Sequence, residues 1–182
     1  MTNFKNELKT IMVNAINNFN REEGYLIKND LSERCVCARF AMHLTSALQG
    51  TEYSDYIVDV EYNRGADGIE RNTKRLYDDP ITVDLIVHKR GYDTTYGFNN
   101  LICAEMKKST DRRGCESDET RLKNMIDPNF GFCYKTGFMI LITTSKESLI
   151  VKRLKVDIEQ IQSLYLYQNN ITKTINISTI FF

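Results

Sequence analysis

Two stretches decide how this chain is read: Ile81-Thr82-Val83-Asp84-Leu85-Ile86-Val87-His88 and Leu101-Ile102-Cys103-Ala104-Glu105-Met106-Lys107. Both are runs of aliphatic and β-branched residues, the signature of strands. Side chains alternate along a strand, so Val83, Leu85 and Val87 are expected on one face, with Asp84, Ile86 and His88 on the other. By the same rule Glu105 and Lys107 share a face. The segment between the runs, 89–100, contains Gly91 and Gly97. It reads as a hairpin-type connection rather than a crossover helix, so the strands are expected to pair antiparallel. That pairing brings Asp84 near Glu105, because opposed side chains on paired strands lie ~5 Å apart.

The flanking sequence supplies helices to cover such a sheet. Phe4, Leu8, Ile11, Met12, Ala15, Ile16 and Phe19 recur at three- and four-residue steps, which predicts an amphipathic helix over 2–19 closed near Gly24. A second helix is expected from Asp30, with Glu33 as the far half of a capping box, to Leu48 before Gly50. Its apolar stripe would be Cys37, Phe40, Ala41, Leu44 and Leu48. Glu33 extends that stripe by a turn, and an acid in line with a buried face needs a partner, a cap role or a metal.

Tyr56-Ile57-Val58-Asp59-Val60-Glu61-Tyr62 predicts a further strand, with Val58, Val60 and Tyr62 on one face, followed by a polar loop over 65–79. Downstream, a polar loop over 109–117 precedes a short helix over 118–126, ended by Pro128. The run 137–144 reads as a strand buried on both faces. The segment 145–163 is open between a helix and a strand starting at Leu149-Ile150-Val151. A hairpin is expected in the tail, pairing 164–167 with 174–181.

The 182 residues fit one α/β domain, with 42% hydrophobic and 26% charged residues. The longest apolar run, 137–142, is far short of the ~20 residues of a membrane span. The N-terminal stretch has no signal-peptide core, so a cytoplasmic protein is the expectation. The five cysteines, Cys35, Cys37, Cys103, Cys115 and Cys133, have neither zinc-knuckle nor CxxC spacing and read as reduced thiols. A formal net charge of zero argues against gripping nucleic acid by a broad basic surface. There is no Gly-x-Ser-x-Gly elbow, no Walker loop and no Rossmann glycine pattern, and only two histidines, His43 and His88.

What remains is Glu33, Asp84, Glu105 and Lys107. Magnesium takes oxygen ligands, typically one or two carboxylates with waters and a substrate phosphate. Asp84 and Glu105 would supply that pair, and the Met106 carbonyl between Glu105 and Lys107 offers another oxygen. A lysine beside such an ion can orient or help deprotonate water and neutralise charge on phosphorus.

Asp84 followed by Glu105-Met106-Lys107 resembles the PD-(D/E)XK nuclease superfamily, with its restriction-endonuclease-like fold. The resemblance runs over about 30–143, leaving the N-terminal helix and a C-terminal extension from about 145 outside it. Glu61-Tyr62-Asn63-Arg64 and the helix at 118–122 look similar to one small stand-alone branch. The resemblance implies a mixed sheet flanked by helices. It also implies phosphodiester hydrolysis with Mg2+, or Mn2+ as substitute, an endonuclease before an exonuclease, and DNA before RNA. Asp84 and Glu105 match its metal carboxylates, Lys107 its catalytic lysine, and Glu33 an acid on the first core helix near the metals. Val83 stands where the superfamily's motif usually has proline. Lys89, Arg90, Lys108, Arg112 and Arg113 are candidate phosphate contacts. A homodimer and a protein activator are open as partners.

Blander readings stand beside these. Glu33 as a cap, Asp84 and Lys107 as a structural ion pair, and His88 as a hydrogen-bonded strand-end histidine all fit the sequence. A non-catalytic binding module of the same fold is the rival function.

Overall fold

The expected hairpin forms. Strand β4 (Leu85–His88) pairs antiparallel with β5 (Asn100–Lys108), Leu85 opposite Ala104 and Val87 opposite Ile102. The computed structural model describes residues 2–63, 75–76, 79–90, 99–127, 132–143, 148–154 and 179–181. Around the hairpin lie α1 (Thr2–Lys28), α2 (Glu33–Leu48), β1 (Ile57–Val60), α3 (Arg112–Ile126), β6 (Thr136–Thr143), β7 (Ser148–Leu154) and β8 (Thr179–Phe181). A separate two-stranded ladder joins β2 (Arg75–Leu76) to β3 (Asp79–Pro80).

The main sheet has the order β1-β4-β5-β6-β7-β8 among the described residues. Only β5 and β6 pair parallel; the other neighbours are antiparallel. A parallel pair needs a crossover, and α3 supplies it. The protein is therefore α/β with a mixed sheet. On one face, Leu8, Met12 and Phe19 of α1 and Val36, Phe40 and Leu44 of α2 pack on Leu85, Val87, Ile102, Met106 and Phe138. On the other, Leu122, Met125 and Ile126 of α3 cover Ile86, Cys103 and Met139. Strand β6 serves both layers through Phe138, Ile140 and Ile142 on one side and Met139 on the other, as a run buried on both faces should.

Several boundaries differ from the sequence reading. Helix α1 runs through Gly24 to Lys28. An interior glycine costs roughly 1 kcal/mol, less than the ~1.5–3 kcal/mol from burying a side chain such as Ile27, which is 1% exposed. Helix α2 is capped by Ser32, whose hydroxyl accepts from the Cys35 amide at 3.3 Å, and not by Asp30. Asp30 instead takes a left-handed conformation that ends the preceding turn (φ 53°). Glu33 is then the first residue of α2 and not the far half of a capping box, which frees its carboxylate for other partners.

Helix α3 begins at Arg112, earlier than expected, because Asp111 caps it through the Gly114 amide at 3.0 Å. The strand alternative at Leu149-Ile150-Val151 is the one observed. Tyr62 packs in the α3-side cluster, across the sheet from Val58 and Val60, because Glu61 adopts φ 51° and breaks the alternation. Val83 likewise joins Ile86, away from Leu85 and Val87, across the bend at Asp84. Of the expected loop at 65–79, residues 75–76 and 79 lie instead in the β2–β3 ladder, and of the expected tail hairpin 179–181 pair with β7; the remainder of both lies outside the described residues. Among the described residues, no helix is long and apolar enough to cross a membrane.

Candidate active site

Asp84 sits at the bend just before β4, one step beyond the last β4–β5 rung. Its amide donates to Glu105 Oε2 at 3.2 Å, and its own Oδ2 accepts from the Met106 amide at 2.8 Å. The two acids thus lock together where the ladder stops. Within one strand residue the N–H and C=O point to the same edge, so the Met106 carbonyl faces the Asp84 side as well.

Glu105 follows Cys103 on the α3 face and is 1% exposed. Its Oε1 accepts from Arg121 Nη1 at 2.5 Å, and the same nitrogen lies 3.3 Å from Asp118 Oδ1. Lys107, one pleat on, places Nζ 3.2 Å from Glu33 Oε2 and 3.6 Å from Asp118 Oδ2. The other Glu33 oxygen accepts from the Lys108 amide at 2.8 Å, tying the start of α2 to the end of β5. Lys108 Nζ pairs with Asp30 at 2.7 Å.

The cluster therefore sets four carboxylates, Glu33, Asp84, Glu105 and Asp118, against two cations, Lys107 and Arg121. With all six ionised it carries two excess negative charges. Burial, and next the charge of Asp84, push Glu105 up to about 8, with Arg121 offsetting only part of the rise. Burial is also the main reason Asp118 is raised. For Lys107, burial disfavours the charge, but Glu33, Asp118 and Asp84 outweigh it and the ammonium is stabilised. Lys107 is suited to neutralising charge and orienting groups, and poorly suited to accepting a proton.

A cavity of about 600 Å³ opens beside Asp84, lined in part by Glu33, Arg34, Cys37, Glu61 and Lys108. Glu61 donates its amide to the Asp84 carbonyl at 3.1 Å and accepts from Arg34 Nε at 2.8 Å. The Cys37 thiol donates to the Asp84 carbonyl at 3.4 Å. Burial and the surrounding acids push that thiol up to about 12, so it is no nucleophile at neutral pH.

The structure brings together Glu33, Asp84, Glu105, Met106, Lys107 and Lys108. Arg112 and Arg113 stand exposed on the first turn of α3, a few residues beyond the end of β5. Lys89 and Arg90, the other two candidate phosphate contacts, lie away from this cluster. They follow the far end of β4, roughly 17 Å from Asp84 at ~3.3 Å per strand residue. Lys89 Nζ is 2.5 Å from Asp55 and 4.8 Å over the Tyr56 ring, and Arg90 pairs with Asp59. His88 is a buried strand-end histidine, with Nε2 2.9 Å from Asp59.

Asp118 and Arg121 were not singled out by the sequence reading. The available signal was Asp118 on the buried stripe with Leu122, Met125 and Ile126, the same anomaly that marked Glu33. Among the described residues, no three His, Cys, Asp or Glu side chains converge as a metal cage. Glu33 in particular is engaged by Lys107 and Lys108 rather than turned onto the Asp84–Glu105 pair. The chain matches no family model, no curated protein and no solved structure.

Proposed function

We propose that this protein is a metal-dependent phosphodiesterase of the restriction-endonuclease-like class. It would cut nucleic acid internally, DNA in preference to RNA. The observation that carries this reading is the Asp84–Glu105 pair, two acids locked side by side in a cluster whose four carboxyl groups outnumber its two cations. A donor set of that composition fits one divalent cation, with Asp84, Glu105 and the Met106 carbonyl as protein ligands and water completing the shell. Glu33 is left to position Lys107.

When bound, Mg2+ or Mn2+ would supply Lewis-acid activation of water and of the phosphoryl oxygen. The chain's own residues do the rest. The Met106 amide fixes the Asp84 carboxylate, and the Asp84 amide fixes Glu105. Lys107, kept as an ammonium by Glu33 and Asp118, offsets charge developing on phosphorus. Lys108, Arg112 and Arg113 are the cations available to the phosphates of a bound strand. Zero net charge leaves room for a homodimer or a protein activator to contribute affinity.

A second reading, a non-catalytic binding module, is favoured by one observation. Glu105 pairs with Arg121, and Lys107 with Glu33 and Asp118, so much of the network is satisfied without an ion. Purified protein incubated with closed circular duplex, linear duplex, single-stranded DNA and RNA separates the two, with Mg2+, Mn2+ or EDTA. The nuclease reading expects metal-dependent cleavage that Glu105→Ala and Lys107→Ala abolish. Cleavage that survives both variants, or no cleavage together with no metal binding, refutes it.

A further inference from the structure

The two oxygens of Glu105 are held by unlike partners. Oε2 accepts from the backbone amide of Asp84, which cannot leave without opening the end of the hairpin. Oε1 accepts from the guanidinium of Arg121, a long side chain one-third exposed at 33%. Arg121 has a second seat at hand, since Asp118 lies one helical turn earlier with Oδ1 at 3.3 Å from the same nitrogen. An ion bound between Asp84 and Glu105 would require a Glu105 oxygen, and only one of the two partners can turn aside.

We infer that Arg121 is a built-in counter-cation of the Asp84–Glu105 pair, which a divalent metal ion displaces from Glu105 onto Asp118 as it binds. This rests on the metal-site reading above. Without metal, the guanidinium sits against Glu105 at the end of a buried strand and against Asp118, so neither the cation nor the acids lack a partner there. As the ion enters, the two cations compete for Oε1, and the nearby Asp118 limits the cost of moving Arg121 aside. The site would thus be folded before metal arrives, and its affinity would be set by a residue that is not a ligand.

The test is calorimetric titration of Mg2+ into the metal-free protein, at one fixed pH for every variant. Wild type, Arg121→Gln, Arg121→Lys and Glu105→Gln are compared. Arg121→Gln should bind Mg2+ about tenfold tighter than wild type, equivalent to ~1.4 kcal/mol. Arg121→Lys, which keeps a cation in reach, should return close to wild-type affinity. Glu105→Gln should lose binding. In wild type itself, the Arg121 side-chain 1H–15N resonance, assigned by its loss in Arg121→Lys, should move on saturation with Mg2+. That readout holds even if Arg121→Gln does not fold.

Equal or weaker binding by a folded Arg121→Gln, with Glu105→Gln still deficient, overturns the displacement while leaving the metal site in place. So does an unmoved Arg121 resonance in a protein that binds Mg2+. Binding that Glu105→Gln leaves intact, or that all four proteins lack, removes the metal site and the displacement together.

Discussion

Glu105→Gln should change how stability depends on pH, in a direction the buried strand dictates. The folded protein holds the Glu105 proton up to about 8, against an ordinary value of 4.5, because burial and Asp84 both oppose the charge. A group whose folded value is raised stabilises the fold fully below the unfolded value and loses that contribution as pH rises through the folded one. Between pH 5 and 8 the folded state binds more protons than the unfolded, so this group makes stability fall with rising pH. The slope is about 1.4 kcal/mol per pH unit, on the order of 5 kcal/mol over the whole span.

Glutamine fills nearly the same volume and has no proton to lose. It deprives Arg121 of one partner but leaves Asp118, and that cost shifts the whole curve without tilting it. Urea unfolding of wild type and Glu105→Gln at pH 5, 6, 7 and 8, followed by circular dichroism, gives the difference at each pH. Groups elsewhere cancel in that difference. In EDTA the variant should gain on wild type steadily from pH 5 to 8. A flat difference would mean that Arg121 keeps Glu105 ionised throughout, and the argument from burial would fail.

Three further outcomes follow from the same contacts. Glu33→Ala removes charge-assisted bonds from the Lys108 amide and from Lys107, at 2.8 and 3.2 Å. It should cost about 1–2 kcal/mol in urea unfolding, whereas a value within ~0.5 kcal/mol of wild type would show that α2 is not anchored there. Gly114→Ala would set a methyl against Asp111 Oδ2, pushing away the cap of α3. Losing the cap, about 1 kcal/mol, is opposed by the ~1 kcal/mol that alanine gains over glycine in a helix, so urea unfolding should show a net change within about 0.5 kcal/mol, and a loss well above 1 kcal/mol would mean that the Asp111 cap holds α3 more strongly than this. At about pH 8 a thiol reagent should modify Cys35 in the native protein and leave Cys37 untouched until unfolding, as read by peptide mass spectrometry. Rapid native labelling of Cys37 would contradict its burial under the Asp84 carbonyl.

Much of the framework was legible because strand alternation and connection length are local properties. The spacing of Val83–Val87 and 101–107, with a glycine-containing link that reads as a hairpin connection rather than a crossover helix, leads to an antiparallel hairpin. That hairpin alone brings Asp84 to Glu105 and sets Lys107 one pleat away. Alternation failed where the backbone leaves the strand region. The left-handed Glu61 sends Tyr62 to the opposite face from Val60, and the bend at Asp84 does the same to Val83. No periodic pattern registers a single residue's departure from extended geometry.

The composition of the site, by contrast, depends on contacts between segments far apart in the chain. Glu33 reads equally well as a cap, a ligand or a surface acid until α2 is docked against the end of β5 and its carboxylate meets Lys107 and Lys108. Asp118 and Arg121 become part of the cluster only because α3 crosses the face that Glu105 occupies, while Lys89 and Arg90 leave it because β4 carries them to its far end. The strand pair and the acids upon it could be read from the chain alone, since those follow from a repeat of two residues along one hairpin. Tertiary packing decided which cations answer those acids, because charges interact through distance in space, and distance along the chain does not predict it.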